Sequence, residues 1–153
     1  MRLQCGRFHL ELDRPVVMGV LNVTPDSFTD GGLYFESAAA VARGEELAGE
    51  GAAIIDVGGE STRPGSAPVG IEEELRRVIP VIERLAASLQ VPVSVDTRKT
   101  EVMRHAIAAG ASVVNDVGAL AAPGSLDVLA GSGAGVVLVH MQGEPGTMQE
   151  APR

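Results

Sequence analysis

The sequence has few of the residues on which several protein classes depend. Its 153 positions include one cysteine, Cys5, no tryptophan and 3% aromatic residues. A single cysteine excludes an internal disulfide and a metal site built from cysteines. No apolar run approaches the roughly 20 residues that a membrane-spanning helix needs. The N-terminal segment is polar and interrupted by Gly6, which is not typical of a signal peptide, so we expect a cytoplasmic protein.

Positive charge is also scarce. There are 12 basic residues against 20 acidic ones, which gives a formal net charge of −8. Such a chain repels phosphates on average, so nucleic acids and anionic membranes are unfavourable partners. A small anionic substrate stays possible if a few basic side chains are concentrated locally. The hydrophobic fraction of 45% and the mean hydropathy of +0.18 indicate a globular protein, and the length predicts one domain over residues 1–153.

Five short apolar runs, rich in Val and Ile, alternate with amphipathic stretches. The runs lack polar alternation, which is typical of strands buried on both faces of a parallel sheet. They span residues 16–21, 52–57, 91–95, 112–114 and 136–139. Periodic apolar positions between them predict helices over residues 37–50, 71–88 and 100–109, with a short helix after Pro123.

The β/α alternation predicts the fold class. Leu3 and Leu10, with Gly6 between them, predict a small antiparallel hairpin ahead of the first buried strand. The remaining five strands and about four helices fit an open doubly wound sheet. They also fit part of a (β/α)₈ barrel, which typically needs about 250 residues. The pattern alone leaves both folds open.

Polar side chains follow the apolar runs, where the strands are predicted to end. In both folds the carboxyl ends of parallel strands face one side and line the functional site. The alternative is that Asn and Asp simply cap strand ends. Taken together, the polar residues favour a functional site over simple capping. They are Asn22, Asp56, Asp96, Asn115, Asp116 and His140.

The connections after the first two runs are long for βα loops, which usually have 2–6 residues. Phe28 in the first is either a lid aromatic or a loop anchor, and Arg63 is the only cation in the second. Arg98 and Lys99 follow the third run and could help to hold an anion. We favour the simpler interpretation, a solvated helix face.

Two segments carry a resemblance to a known family. Residues 21–32 read LNVTPDSFTDGG and residues 56–65 read DVGGESTRPG. They resemble the first and second signatures of the dihydropteroate synthases. VSVDTRK at 93–99, VNDV at 114–117 and HMQG at 140–143 resemble later strands of the same family. The resemblance extends over essentially the whole chain.

The resemblance implies a fold and an activity. The family is a (β/α)₈ barrel, so this chain would form about five parallel strands of one, truncated before the last three βα units. Its members join 6-hydroxymethyl-7,8-dihydropterin pyrophosphate to p-aminobenzoate, releasing pyrophosphate and forming 7,8-dihydropteroate for folate synthesis. Mg²⁺ assists. The resemblance also makes a homodimer possible for the full-length protein.

The resemblance assigns roles to residues at the strand ends. Asn22 would help to hold the magnesium and the pyrophosphate. Asp96 and Asn115 would hydrogen-bond the edge of the pterin ring, with Asp56 nearby. Thr62 would contact the pterin pyrophosphate substrate. Carboxylate and amide groups suit such an edge, because it presents adjacent donors and acceptors.

Further residues are assigned to two mobile loops that close over p-aminobenzoate. Phe28, Asp30 and Arg63 are the expected catalytic residues of these loops, and Pro64 is an expected substrate contact. Met141 is expected to pack near the ring.

The sequence departs from the family by stopping at Arg153. The family's later Asp, Lys, Arg and His therefore have no counterparts here, and we expect the 153 residues to be inactive alone. Two alternatives stay open. One is a pterin-binding methyltransferase domain, which shares the barrel and the pterin strands. The other is a non-catalytic remnant that binds pterin or packs against a partner chain.

Overall fold

A computed structural model describes residues 1–23, 32–60, 68–116, 118 and 120–138, with backbone alone at 32–36. An N-terminal hairpin comes first, and five further strands follow it, as the sequence predicts. The hairpin strands are β1 (Arg2–Cys5) and β2 (Phe8–Glu11). The others are β3 (Met18–Asn22), β4 (Ile54–Gly58), β5 (Val93–Asp96), β6 (Val113–Asp116) and β7 (Gly135–Leu138).

Four helices lie between these strands. They are α1 (Gly32–Gly49), α2 (Ile71–Ser88), α3 (Thr100–Ala108) and α4 (Ser125–Ala130). Helix α1 begins five residues earlier than the periodicity predicts. Gly51 and Gly110 follow α1 and α3 with φ of 112° and 117°, a conformation that glycine adopts without strain and that ends a helix. Among the described residues, no helix is long and apolar enough to span a membrane.

The order of the strands distinguishes the two folds that the sequence left open. The five strands pair in parallel in the consecutive order β3-β4-β5-β6-β7. Each helix contacts the next one along the chain, so the helices form one layer. A doubly wound sheet reverses its strand order and places helices on both faces. The observed topology is that of part of a (β/α)₈ barrel.

The core lies between the sheet and the helix layer. Alternate strand residues, among them Leu21, Ile55, Val57, Val95 and Val114, pack against the helices. The helices contribute Val78, Ile82, Leu85 and Met103, all of them buried. The opposite face of the sheet is the concave face of a barrel, and it carries the polar side chains described below.

The hairpin covers the amino ends of β6 and β7. The amide of Gly6 donates a hydrogen bond to the carbonyl of Gly133 at 3.0 Å. A Cβ on Gly135 would lie 3.1 Å from Sγ of Cys5, so glycine permits this close approach. Cys5 is buried, and its burial raises the pKa of the thiol. The candidate site residues at the strand ends lie at the opposite, carboxyl end of the sheet.

Candidate functional site

Four strand-end residues form one row across the sheet. The strand register pairs Asn22 with Gly58, Gly58 with Asp96, and Asp96 with Asn115. Directly paired residues of a parallel sheet point to the same face, which here is the face turned away from the helices. The structure thus brings together Asn22, Asp96 and Asn115, as the sequence predicts.

Asp56 lies one layer deeper on the same face. It is buried, and the register pairs it with Ser94 of β5. Its Oδ2 accepts a hydrogen bond from Nδ2 of Asn115 at 3.2 Å. Burial raises the pKa of Asp56, and interactions with the side chains of Ser94 and Asn115 oppose part of this rise.

Gly58 makes room for the carboxylate of Asp96. A Cβ at Gly58 would lie 3.2 Å from Cβ and 3.4 Å from Oδ2 of Asp96. Sequence reasoning assigned no role to this glycine. The signal that could have found it is a glycine inside a buried strand, which often marks the close approach of another group.

The pKa of Asp96 is raised to about 7. Burial is the largest cause, because it disfavours the charged form. The negative charges of Asp56, Glu74, Asp116 and Glu60 add to the rise. A ligand that donates hydrogen bonds to Asp96 would favour its ionised form.

Among the described residues, two buried oxygens on this face, one in the row and one a layer deeper, have no hydrogen-bond partner. They are Oδ1 of Asp56 and Oδ1 of Asn115. Buried acceptors in folded proteins are nearly always satisfied. The two oxygens share this face with the equally unpaired Oγ of Ser94, so they fit a ligand that supplies donors there, whereas Oε2 of Glu74 is also unpaired but lies in α2. The arrangement suits a flat ligand with several N–H groups along one edge.

Asp116 has a structural role, although the sequence placed it in the candidate set. It lies on the helix-facing side of β6, in register with Leu138. Its Oδ1 accepts from the amide of Gly118 at 2.7 Å, and its Oδ2 accepts from the amide of Leu120 at 2.8 Å. These bonds hold the turn after β6, which is the strand-end capping weighed above.

Lys99 does not lie on a solvated helix face, so our interpretation of it was wrong. Its Nζ lies 2.7 Å from Oε1 of Glu74 and 3.1 Å from Oε2 of Glu60. Arg98 lies nearby, with Nε 3.8 Å from Oε1 of Glu60. We call Glu60, Glu74 and Lys99 the carboxylate–lysine cluster. It places the positive charge of Lys99 against protein carboxylates behind the row.

Six predicted site residues lie outside the described residues: Phe28, Asp30, Thr62, Arg63, Pro64 and Met141. Their roles stay predictions, as does the position of His140. Within the described part of the chain, no group of three or more His, Cys, Asp or Glu could hold a metal ion. Asn22 is exposed at the end of β3.

An open groove of about 590 Å³ lies elsewhere, between α2 and α3. Leu75, Ile79 and Pro80 contribute apolar lining, with Glu72 and His105 beside them. None of the row residues lines it. The orphaned acceptors are therefore the better indication of a binding site.

Comparison with known proteins agrees with this geometry. The family model described as "Pterin binding enzyme" matches residues 18–153. The chain belongs to the pterin binding enzymes. The dihydropteroate synthase of Escherichia coli K12 is 52% identical over 153 residues, which cover 100% of this chain and 54% of that protein.

Solved structures of pterin binding enzymes share the fold. Xanthomonas albilineans dihydropteroate synthase with 4-aminobenzoic acid has a TM-score of 0.89 and 58% identity, and the match covers 99% of this chain and 54% of that one. The same enzyme with 7,8-dihydropteroate has a TM-score of 0.83 and 57% identity, covering 93% and 52%. The chain spans about half the length of the relatives it matches.

Proposed function

We propose that this chain supplies the pterin-binding side of a dihydropteroate synthase. The reaction would join 6-hydroxymethyl-7,8-dihydropterin pyrophosphate to p-aminobenzoate, giving 7,8-dihydropteroate and pyrophosphate. The observation that carries the proposal is the grouping of Asp56 with Asp96 and Asn115 of the row, where two buried acceptor oxygens lack donors among the described residues. Identities of 52% and 58% to dihydropteroate synthases favour this activity over a methyltransferase.

The pterin edge would supply the missing donors. A pterin carries an amino group and ring N–H groups, and ionised carboxylates accept hydrogen bonds from such donors strongly. Asp56 and Asp96 would accept from these groups, and Asn115 would use its free oxygen as a further acceptor. Asp56 is only 2% exposed, so its hydrogen bonds to the pterin would form away from water. There a hydrogen bond is stronger, and a ligand without the matching donor is disfavoured.

The same carboxylates suit the chemistry. The amine of p-aminobenzoate is a weak nucleophile, so we infer a displacement in which the pyrophosphate leaves early and positive charge develops on the pterin. Negative groups already fixed beside the ring stabilise that charge without reorganising. The chain's residues would thus bind and orient the pterin, and no covalent nucleophile is needed.

The described residues would hold magnesium only together with the substrate. Mg²⁺ prefers oxygen donors and is often held by one or two protein groups together with substrate phosphates. The amide oxygen of Asn22 at the end of β3 would be one such donor, with the pyrophosphate supplying others. When bound, the ion would neutralise charge on the leaving group. We expect Asn22→Ala to weaken the magnesium dependence of pyrophosphate-substrate binding.

Calorimetry with 6-hydroxymethyl-7,8-dihydropterin tests the proposal on the 153-residue chain. We expect binding that Asp96→Ala and Asp56→Ala each weaken by about tenfold or more, since each removes hydrogen bonds to a charged group. Asp127→Ala is the matched control, because its side chain is exposed on α4. Absence of binding by the wild-type chain, or equal losses in all three variants, would reject the proposed site.

Turnover is a separate question, since the chain spans about half of its relatives. We infer that the 153 residues alone bind the pterin without forming dihydropteroate. Incubation with both substrates and Mg²⁺, followed by detection of pyrophosphate, tests this inference. A cytoplasmic location and a homodimer of the complete protein are also proposed.

A further inference from the structure

The carboxylate–lysine cluster connects three segments of the barrel behind the pterin-facing row. Glu60 follows β4, Glu74 lies in the first turn of α2, and Lys99 precedes α3. Glu74 is fully buried, and its side chain packs beside Gly59, where an added Cβ would lie 3.4 Å from Cγ. Glu60 Oε2 also accepts from the amide of Val69 at 2.6 Å. A buried carboxylate of this kind needs a cation, and Lys99 supplies it.

The segment from Asp96 to Lys99 is fixed at both ends. The amide of Thr97 donates to the carbonyl of Asn115 at 3.1 Å, which ties the segment to β6. The amide of Lys99 donates to Oγ1 of Thr97 at 3.2 Å, and Nζ of Lys99 reaches the two glutamates. Asp96 is thus held between β6 on one side and the β4 and α2 segments on the other.

We propose that Lys99 is a positioning residue for Asp96: by bridging Glu60 and Glu74, its ammonium fixes the end of β5 in the place where Asp96 meets the pterin. The proposal rests on the proposed function, because it concerns the same site. Lys99 does not touch the ligand in this scheme and acts through the backbone between residues 96 and 99.

The charges around Asp96 support the same role. The carboxylates that raise the pKa of Asp96 include Glu60 and Glu74, to which Lys99 is paired. A positive charge between these two groups offsets part of their effect on Asp96. Among the described residues, other charged groups at this end include Asp56, Asp116, Arg77 and Arg98. Arg77 donates to the carbonyl of Gly59 at 2.7 Å.

A double variant separates positioning from simple stability. Lys99→Met alone leaves Glu74 buried without its cation, so it should lower both the stability of the fold and the affinity for the pterin. Lys99→Met combined with Glu74→Leu removes the buried pair, while Glu60 keeps the Val69 amide and Arg98, with Nε 3.8 Å from its Oε1. The double variant should recover much of the stability, because apolar pairs often replace buried ion pairs without loss. A merely structural role predicts that pterin binding recovers with stability. The positioning role predicts that it does not.

The experiment measures the Kd of 6-hydroxymethyl-7,8-dihydropterin at pH 9, well above the pKa of about 7 for Asp96, so that a change in Asp96 ionisation has little effect on the Kd. We expect the double variant to bind about tenfold more weakly than wild type, the size of one misplaced charged hydrogen bond. Lys99→Arg keeps the cation and should bind the pterin more tightly than the double variant. Arg104→Met, which removes an exposed cation paired with Glu101 on α3, should change nothing. Wild-type affinity in a stably folded double variant would overturn the proposal.

Amide hydrogen exchange of the ligand-free chain gives a second readout that does not need the pterin. The double variant should exchange faster at Thr97 and Lys99, whereas Arg104→Met should not. If the wild-type chain binds no pterin, the proposed function fails, and exchange alone then decides whether Lys99 fixes this segment. Unchanged exchange at both amides would contradict the positioning role whatever the binding result.

Discussion

Asn115 donates a hydrogen bond from Nδ2 to Oδ2 of Asp56 over 3.2 Å, although β5 lies between the strands that carry them. Strands two positions apart are separated by roughly 9.5 Å in a sheet. Two short side chains meet over that distance only because they point inwards from a curved sheet. The curvature of the barrel thus brings groups from non-neighbouring strands into one site.

Asn115→Ala should raise the pKa of Asp56 further, because the Asn115 amide opposes the rise that burial causes. When the pKa of a carboxyl is raised in the folded state, the protein loses stability as the pH rises above the pKa of that carboxyl in the unfolded chain, about 4. The variant should therefore lose about 1.5–3 kcal/mol at pH 8 and less at pH 4. Urea unfolding at both pH values measures this. An equal loss at both would show that the amide contributes packing alone.

Asp96→Asn should stabilise the fold at neutral and alkaline pH. The folded-state pKa of Asp96 is about 7, well above its ordinary value of 3.8. Between these values the unfolded chain ionises while the folded chain does not, so wild-type stability falls through this window. The gain from Asn should grow from pH 4 to pH 7 and stay constant above. Unfolding free energies across pH 3–9 test the shape of this curve.

Asp127→Asn is the control for that experiment, because it removes the same charge from an exposed position on α4. A gain for Asp96→Asn that is flat with pH, or matched by the control, would contradict the raised pKa. The same substitution should weaken pterin binding, so stability and function would change in opposite directions at one residue.

The sequence predicts the strands of this fold well, because each buried strand is a short Val- and Ile-rich run that a parallel sheet requires. It also predicts that Asp96 and Asn115 lie side by side at the strand ends, since strand ends of a β/α protein meet at one edge. Periodicity alone could not separate a barrel from a doubly wound sheet. That choice depends on strand order, which the resemblance implied and the register confirms.

Contacts between distant segments were harder to predict. Lys99 looked like a surface residue because it adjoins an amphipathic helix, and its pairing with Glu74 was not predicted. They meet because α2 and α3 pack side by side, which no local pattern encodes. Asp116 was predicted at the site but lies outside it. Side chains alternate between the two faces of a strand, so the residue after Asn115 points away from the site.

Glu74→Gln should lower the pKa of Asp96 below about 7, because Glu74 is one of the negative groups that raise it. The substitution also frees the Lys99 ammonium from one of its two carboxylates, which acts in the same direction. Carbon-detected NMR titration of the Asp96 carboxyl measures the change. Glu101→Gln is the control, since it removes an exposed acid from α3. A pKa that stays constant or rises in Glu74→Gln would show that this charge does not reach Asp96.

Gly58→Ala should disturb the site more than the fold. The new Cβ would lie 3.2 Å from Cβ and 3.4 Å from Oδ2 of Asp96, so the carboxylate must shift by a few tenths of an ångström. We expect a stability loss of about 1–3 kcal/mol, typical of overpacking, with weaker binding of 6-hydroxymethyl-7,8-dihydropterin. Gly49→Ala is the matched control, because an added Cβ there meets nothing within 4 Å, and alanine favours a helix by up to about 1 kcal/mol. Calorimetry and urea unfolding of both variants separate the two effects. Undiminished pterin affinity in Gly58→Ala would mean that the exact place of the Asp96 carboxylate does not govern recognition.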